Sequence, residues 1–217
     1  MNVIYAIPGL GTTKELFSEL EIRDAKLIVL DWPLLEINET MQTLAVKISQ
    51  NIDASKPFYL LGVSFGGMLC AEITLIKKPI KTILVSSSKC RQELPLLMRI
   101  LKYLPFHKII AESQHRFIAK HSRVILGFDK SYMDKFHEMI DSIKGLYFKR
   151  AINCIANWNS INCQRPDIAH LHGNNDMLIP LKNVKADYCI NGGTHAMIVN
   201  KAKEISSRID EIIKANK

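Results

Sequence analysis

No two of the five cysteines, Cys70, Cys90, Cys154, Cys163 and Cys189, stand at a spacing that holds zinc, and their number is odd. That argues against a disulfide framework or structural metal site and for reduced, mostly buried thiols. Also missing is any apolar run near the ~20 residues that a membrane span requires. The first residues, MNVIYAIPG, show neither a basic n-region nor a small-residue cleavage site. A cytoplasmic location with no transmembrane segment is the expectation. There is no polar Pro/Gly/Ser-rich tether, internal repeat or low-complexity tract, so the 217 residues read as a single domain with an insertion. The formal charge of +8 comes without any nucleic-acid-binding motif, and no nucleic-acid partner is expected.

What is present is a 47% apolar chain, enough to bury a full core, with strand-like and helix-like stretches in alternation. Val3–Ile7, Lys26–Leu30, Phe58–Leu61, Thr82–Val85, Asp167–His172 and Ala186–Ile190 are short apolar runs bounded by turn signals. Helical spacing appears at Met41, Leu44, Ile48 and Ile52, again from Met68 to Ile76, and in a last helix through Ile205, Ile209, Ile212 and Ile213. Thr12 with Glu15 and Ser131 with Asp134 read as capping boxes, and Asn200 as an N-cap. Strands alternating with helices predict an α/β fold with a parallel sheet covered on both faces. From Lys89 to about Ser160 only helical periodicity is found. These are too many helices for one crossover, so the core is expected over 1–88 and 161–217, with a helical cap over 89–160.

The chemistry is read from PFYLLGVSFGGM, residues 57–68. A buried strand runs into Gly62-Val63-Ser64-Phe65-Gly66 and then into a helix. This is G-x-S-x-G, in which small residues on either side let strand and helix pack closely around an exposed serine. A serine hydroxyl needs a base, and the base an orienting carboxylate. Asp176 and His195 each lie in a loop just after a predicted strand, where ligands of open α/β sheets bind.

The order Ser64, Asp176, His195 is that of the α/β-hydrolases, and the chain resembles a compact, cap-bearing serine esterase or thioesterase of that family. It is similar to small carboxylesterases and to the esterase that acts on carrier-linked pimeloyl methyl esters. The resemblance rests on the elbow, on His172-Gly173-Asn174-Asn175-Asp176 as the acid loop, and on Gly192-Gly193-Thr194-His195 as the histidine loop. Pro8-Gly9-Leu10-Gly11 occupies the place of the oxyanion loop, with Pro8 where the family usually has histidine. The family's first antiparallel strand pair is absent. The resemblance therefore implies six strands in the order 2-1-3-4-5-6, Ser64, Asp176 and His195 as catalytic residues, and the backbone N–H groups of Leu10 and Phe65 as oxyanion donors. It implies hydrolysis of a small-molecule carboxylic ester or thioester without cofactor or metal.

Alternatives stay open on the same residues. A triad enzyme of this fold can run C–C cleavage, lyase chemistry or perhydrolysis, and a catalytically silent binding protein is the other reading. His170-x-His172 superficially resembles a metal pair, although further ligands do not follow. Between Lys89 and Arg150 there are 13 Lys and Arg against 6 Asp and Glu, so nearly all the excess charge lies in the predicted cap, with His107, His115, His121 and His137. An acidic acyl carrier, coenzyme A or, third, an anionic membrane surface is the partner such a cap would attract, and a lysine-rich solvated surface is the plain alternative.

Overall fold

The six apolar runs become the strands of one sheet in the computed structural model, which describes residues 2–216. They are β1 Asn2–Ile7, β2 Ala25–Val29, β3 Tyr59–Val63, β4 Lys81–Val85, β5 Ile168–Gly173 and β6 Tyr188–Ile190. Every pairing is parallel and the order is β2-β1-β3-β4-β5-β6, as expected. A parallel sheet buries both faces, and β3 is buried at all five positions. Gly62 of β3 faces α2 (Phe65–Ile76), where a Cβ would meet Gly67 and Cys70. Tyr59, of opposite parity, turns the other way and donates its hydroxyl to the Ile213 carbonyl of the last helix. Helices therefore cover both faces: α1 (Met41–Ser49) packs beside α2 on one, and the C-terminal helix Ala202–Ala215 lies on the other.

Between β4 and β5 every regular element is helical: α3 Leu96–Ile100, α4 Glu112–His121, α5 Arg123–Leu126, α6 Met133–Ser142 and α7 Tyr147–Asn157, with 3-10 turns between them. The chain ends with α8 (Met197–Asn200) and α9, the helix Ala202–Ala215 already met. The inserted helices do not build a separate core. Phe136, Ile140, Phe148 and Trp158 belong to the same buried cluster as the sheet. Trp158 donates its indole N–H to Glu72 of α2 at 2.7 Å, and Arg150 bonds the Leu35 carbonyl. The two ends of the insertion meet where Arg91 N–H donates to Ser160 O at 2.8 Å and the Arg91 guanidinium binds the carbonyls of Ala156, Trp158 and Arg99.

That meeting corrects the reading of the cysteines. Cys90 and Cys163, 73 residues apart, are joined as a disulfide beside it, while Cys70 and Cys154 are buried thiols and Cys189 is exposed. Three caps are corrected as well. Thr12 turns its hydroxyl back to Gly9 O at 2.9 Å, and the turn Lys14–Phe17 has no side-chain cap. The residue before α6 is Tyr132, without a side-chain cap, and Asn200 bonds Gly127 O rather than opening α9, whose N-cap is Lys201. The capping box that does form is at α1, where Thr40 and Thr43 satisfy each other's backbone N–H groups.

The tightest contact is between β1 and the start of α2. A Cβ on Gly66 would lie 2.2 Å from Ile7 O and 2.3 Å from Pro8 O, both backbone atoms that move only with the strand. Gly66→Ala is expected to lower unfolding free energy by about 3 kcal/mol or more, the scale of an overpacked core. Urea denaturation measures it, and a loss below about 1 kcal/mol would mean that strand and helix separate easily.

Candidate active site

The elbow is held by the strand beside it. Ser64 sits between β3 and α2 at φ 52° and ψ −120°, a conformation that L side chains avoid and that surrounding structure must impose. Ser64 N–H donates to Val85 O at 3.0 Å, and Ser87 donates its hydroxyl to Ser64 O at 2.6 Å, so the end of β4 holds the turn. Ser87 is a functional position that motif reading misses; its signal in the sequence is the run Ser86-Ser87-Ser88, three hydroxyls at the end of the strand next to the elbow.

The loop after β1 lies beside it. Thr12 closes this loop on Gly9 O through both its hydroxyl and its N–H, and Trp32 donates its indole N–H to Thr12 O at 2.9 Å. Thr12 and Trp32 thus brace a loop that has proline at position 8. The Trp32 ring also stacks on Phe65, with centroids 5.3 Å apart. Leu10 and Phe65 both line the cavity that holds Ser64. Phe65 is the first residue of α2, so its N–H has no acceptor within the helix.

The structure brings Ser64, His195 and Asp176 into one hydrogen-bonded line. His195 Nε2 lies 2.9 Å from Ser64 Oγ, and His195 Nδ1 lies 2.8 Å from Asp176 Oδ2. The other Asp176 oxygen accepts the N–H groups of Leu178 (3.0 Å) and Ile179 (2.8 Å). Burial pushes the Asp176 carboxyl up, but the adjacent His195 and the hydrogen bonds to His195 and Ile179 outweigh it and hold the group below its usual value. With the carboxylate ionised, His195 Nδ1 is the donor and Nε2 is free to accept from the serine.

His170 and His172 do meet, as residues two apart on a strand should, but through each other: His170 Nε2 lies 3.1 Å from His172 Nδ1. His172 Nε2 is 2.7 Å from Ile179 O, which only accepts, so Nε2 carries the proton. The same nitrogen is 3.5 Å from Asp176 Oδ2. The pair therefore stands behind the acid loop, and among the described residues no three His, Cys, Asp or Glu side chains group as metal ligands. In the inserted segment, His107 and His115 are buried, and burial lowers the pKa of His107, so it adds less to the basic surface than its number implied.

Ser64 and His195 open into a cavity of about 300 Å³ walled mainly by aliphatic and aromatic side chains, among them Met68, Met98, Ile118, Phe136 and Ile155. A cleft of about 340 Å³ between Trp32–Leu35 and Lys144–Tyr147 is slightly larger, but no nucleophile there is paired with a base. The inserted segment also touches the histidine loop directly. Ala196 N–H donates to Leu126 O at 2.8 Å, and Thr194 and Asn200 both donate to Gly127 O.

No protein-family model matches the chain, and curated protein sequences give no match. Solved structures do. An esterase from Exiguobacterium antarcticum superposes with a TM-score of 0.76 at 13% identity, over 99% of this chain and 92% of that one. A hydrolase from Pseudomonas aeruginosa gives 0.77 at 12%, over 98% and 89%. A structure from Nitrososphaera gargenis, from work on its carboxylesterases, gives 0.75 at 14%, over 99% and 90%. The chain has the α/β-hydrolase fold. At these identities the likeness is one of architecture, and within the α/β-hydrolase fold function is argued from the site.

The buried histidines make stability depend on pH. Burial puts both His170 and His172 below the ordinary 6.5, His170 well below; the charges of His172 and Lys89 add to the shift of His170, and that of His195 to the shift of His172, where the Ile179 hydrogen bond and Asp176 offset it only in part. Below pH 6.5 the unfolded chain then binds protons that the folded chain refuses, so stability is present above that pH and is lost as pH falls. The slope approaches about 1.4 kcal/mol per pH unit per histidine. Urea denaturation between pH 7 and pH 5 is expected to show a steeper loss in the wild type than in His170→Leu. Parallel curves would mean that His170 accepts a proton while folded.

Proposed function

We propose that the protein is a serine hydrolase that cleaves a carboxylic ester or thioester through an acyl-enzyme intermediate. The observation that supports this most directly is the hydrogen-bonded line Ser64–His195–Asp176, 2.9 and 2.8 Å long, at the floor of an apolar cavity. Ser64 Oγ attacks the carbonyl carbon while His195 Nε2 takes its proton. His195 returns that proton to the leaving alcohol or thiol as the C–O or C–S bond breaks. Water, deprotonated by His195, then attacks the acyl-enzyme and releases the carboxylic acid, and Ser64 regains its proton. Asp176 fixes the tautomer and carries the charge opposite the imidazolium that forms.

The N–H groups of Leu10 and Phe65 are the donors for the tetrahedral oxyanion, each contributing about 3 to 4 kcal/mol at a site of this kind. Segment 89–160 acts as the cap. Its inner side supplies Met98, Ile118, Phe136 and Ile155 to the acyl wall, so the acyl group is the apolar end of the substrate and the leaving group is the end that faces out. A thioester of coenzyme A or of an acidic carrier protein falls within the same chemistry. Structures of similar architecture named as an esterase and as a hydrolase are in accord with this reading.

Ser64→Ala is expected to lower hydrolysis of p-nitrophenyl esters of graded chain length by at least about a thousandfold and to abolish fluorophosphonate labelling. His195→Ala should lose a comparable amount, because a triad acts as a unit. A parallel series of acyl thioesters separates the two leaving groups. Undiminished turnover in Ser64→Ala would sink the serine mechanism, whereas labelling of the wild type without turnover would point to non-hydrolytic chemistry on the same serine.

A further inference from the structure

The inserted helices turn a surface outward that is both apolar and basic. Between Leu96 and Ile125 the chain carries six Lys and Arg and a single carboxylate, Glu112. Glu112 is already engaged: it accepts the N–H groups of Phe148 (2.9 Å) and Lys149 (3.0 Å) at the start of α7 and lies 3.6 Å from Arg116. Lys102, Lys108 and Arg123 are exposed and form no ion pair among the described residues. Interleaved with them are exposed large apolar side chains, including Leu97 (74%), Tyr103 (75%), Phe106 (57%), Ile109 (83%) and Val124 (68%). A single exposed leucine is ordinary, but such a density over thirty residues marks an interaction face.

The pieces adjoin one another and the site. His115 on α4 bonds the His107 carbonyl at 3.0 Å, which holds the turn Phe106–Lys108 against that helix. Met98 of α3, Ile118 of α4 and Ile125 of α5 all line the serine cavity, so these helices meet around it. Ile118 and Ile125 are also 57% and 47% exposed, so these two side chains belong both to the cavity wall and to the outer surface.

We propose that this face docks on an anionic lipid surface and seats the mouth of the cavity against it, so that an acyl chain passes from the lipid to Ser64. The fate of that chain rests on the hydrolase reading above; the docking does not. Charge and apolarity together select this occupant. An acidic protein would satisfy the cations but leave the apolar side chains against its own carboxylates. A second copy of this chain would set cations against cations, with no free carboxylate to pair them. A bilayer interface accommodates both, with apolar side chains at the acyl boundary and Lys and Arg among the headgroups. No described helix is long and apolar enough to cross a membrane, so the attachment is peripheral.

The test is co-sedimentation of the full chain with vesicles of phosphatidylcholine alone and with about one-third phosphatidylglycerol, at low and high salt. Binding to the anionic vesicles is expected to be about a hundredfold tighter, roughly the attraction of three cations at about 1 kcal/mol each, and to weaken with salt. The triple variant Lys102→Glu, Lys108→Glu, Arg123→Glu should weaken it by about a hundredfold or more. Leu97→Ser, Phe106→Ser, Ile109→Ser together should weaken it by about tenfold or more. Both variants should keep wild-type turnover of a soluble p-nitrophenyl ester. Absence of vesicle binding at low salt overturns the proposal. Loss on charge reversal but none on apolar substitution also overturns it, in favour of an acidic protein partner. A wild-type dimer in sedimentation velocity that the apolar variant dissolves, with no vesicle binding, overturns it in favour of a second copy. Vesicle binding with Ser64→Ala and wild type equally inactive on every ester leaves the docking standing and removes the hydrolase reading; ester turnover without vesicle binding does the reverse.

Discussion

The structure depends on how closely the backbone of β1 approaches the first turn of α2. Gly66 lies so near Ile7 O and Pro8 O that no side chain fits, and Gly62 is as close to Gly67. With strand and helix that close, the single residue linking β3 to α2 has no relaxed conformation available, and Ser64 is held at φ 52°. Strain of this kind costs of order ~1–3 kcal/mol and persists only where surrounding contacts fix it. Here they are the N–H bond to Val85 and the Ser87 hydroxyl on Ser64 O, both from the end of β4. The same approach sets the loop after β1 beside the serine, which is why Gly9 and Leu10 share its cavity.

Parallel strand order does the rest of the positioning. Because β3, β5 and β6 run the same way, the loops that follow them emerge at one edge, and residues 131 positions apart in sequence meet at 2.9 Å. Asp176 is kept ionised in a buried place by two N–H groups and an imidazole. Its loop is tied down in turn by His172, whose Nε2–H takes the Ile179 carbonyl. A histidine pair that superficially looks like a metal motif thus stands behind the acid, neutral because burial disfavours its charged form.

The sheet was legible because each strand is a bounded apolar run, and the elbow because its glycines have no other good reason to flank a serine. Asp176 and His195 were legible by position, each just beyond a strand. Leu10 and Phe65, proposed as oxyanion donors, were carried by resemblance, since a backbone N–H leaves no mark in a sequence. The caps failed for a definite reason: Thr12 and Asn200 had the right chemistry to cap a helix, but the carbonyls of Gly9 and Gly127 lay nearer. The Cys90–Cys163 pair was invisible because 73 residues separate its members until Arg91 draws the ends of the insertion together. Ser87 and Trp32 were missed for a related reason, as their partners belong to other elements.

Those same long-range contacts bear on how the inserted helices relate to the site. A lid that merely covers a cavity could shift without consequence for the residues beneath it. This segment cannot, because the turn at Leu126–Gly127 accepts hydrogen bonds from Thr194, Ala196 and Asn200 on either side of His195. Gly127 is left-handed at φ 73°, and a Cβ there would strike Thr194, so the turn is fitted to the histidine loop and not just adjacent to it. Displacing α5 would cost these bonds or carry His195 away from Ser64 and open their 2.9 Å contact. The segment's far end is anchored differently, through Trp158 on Glu72 and the Arg91 cluster. Between these two anchors lie α3, the 106–108 turn and α4, where the exposed apolar and basic side chains are concentrated. The fold thus separates a turn of the insertion that is bonded to the loop carrying His195 from a stretch, over α3, the 106–108 turn and α4, whose outer face makes none of those bonds.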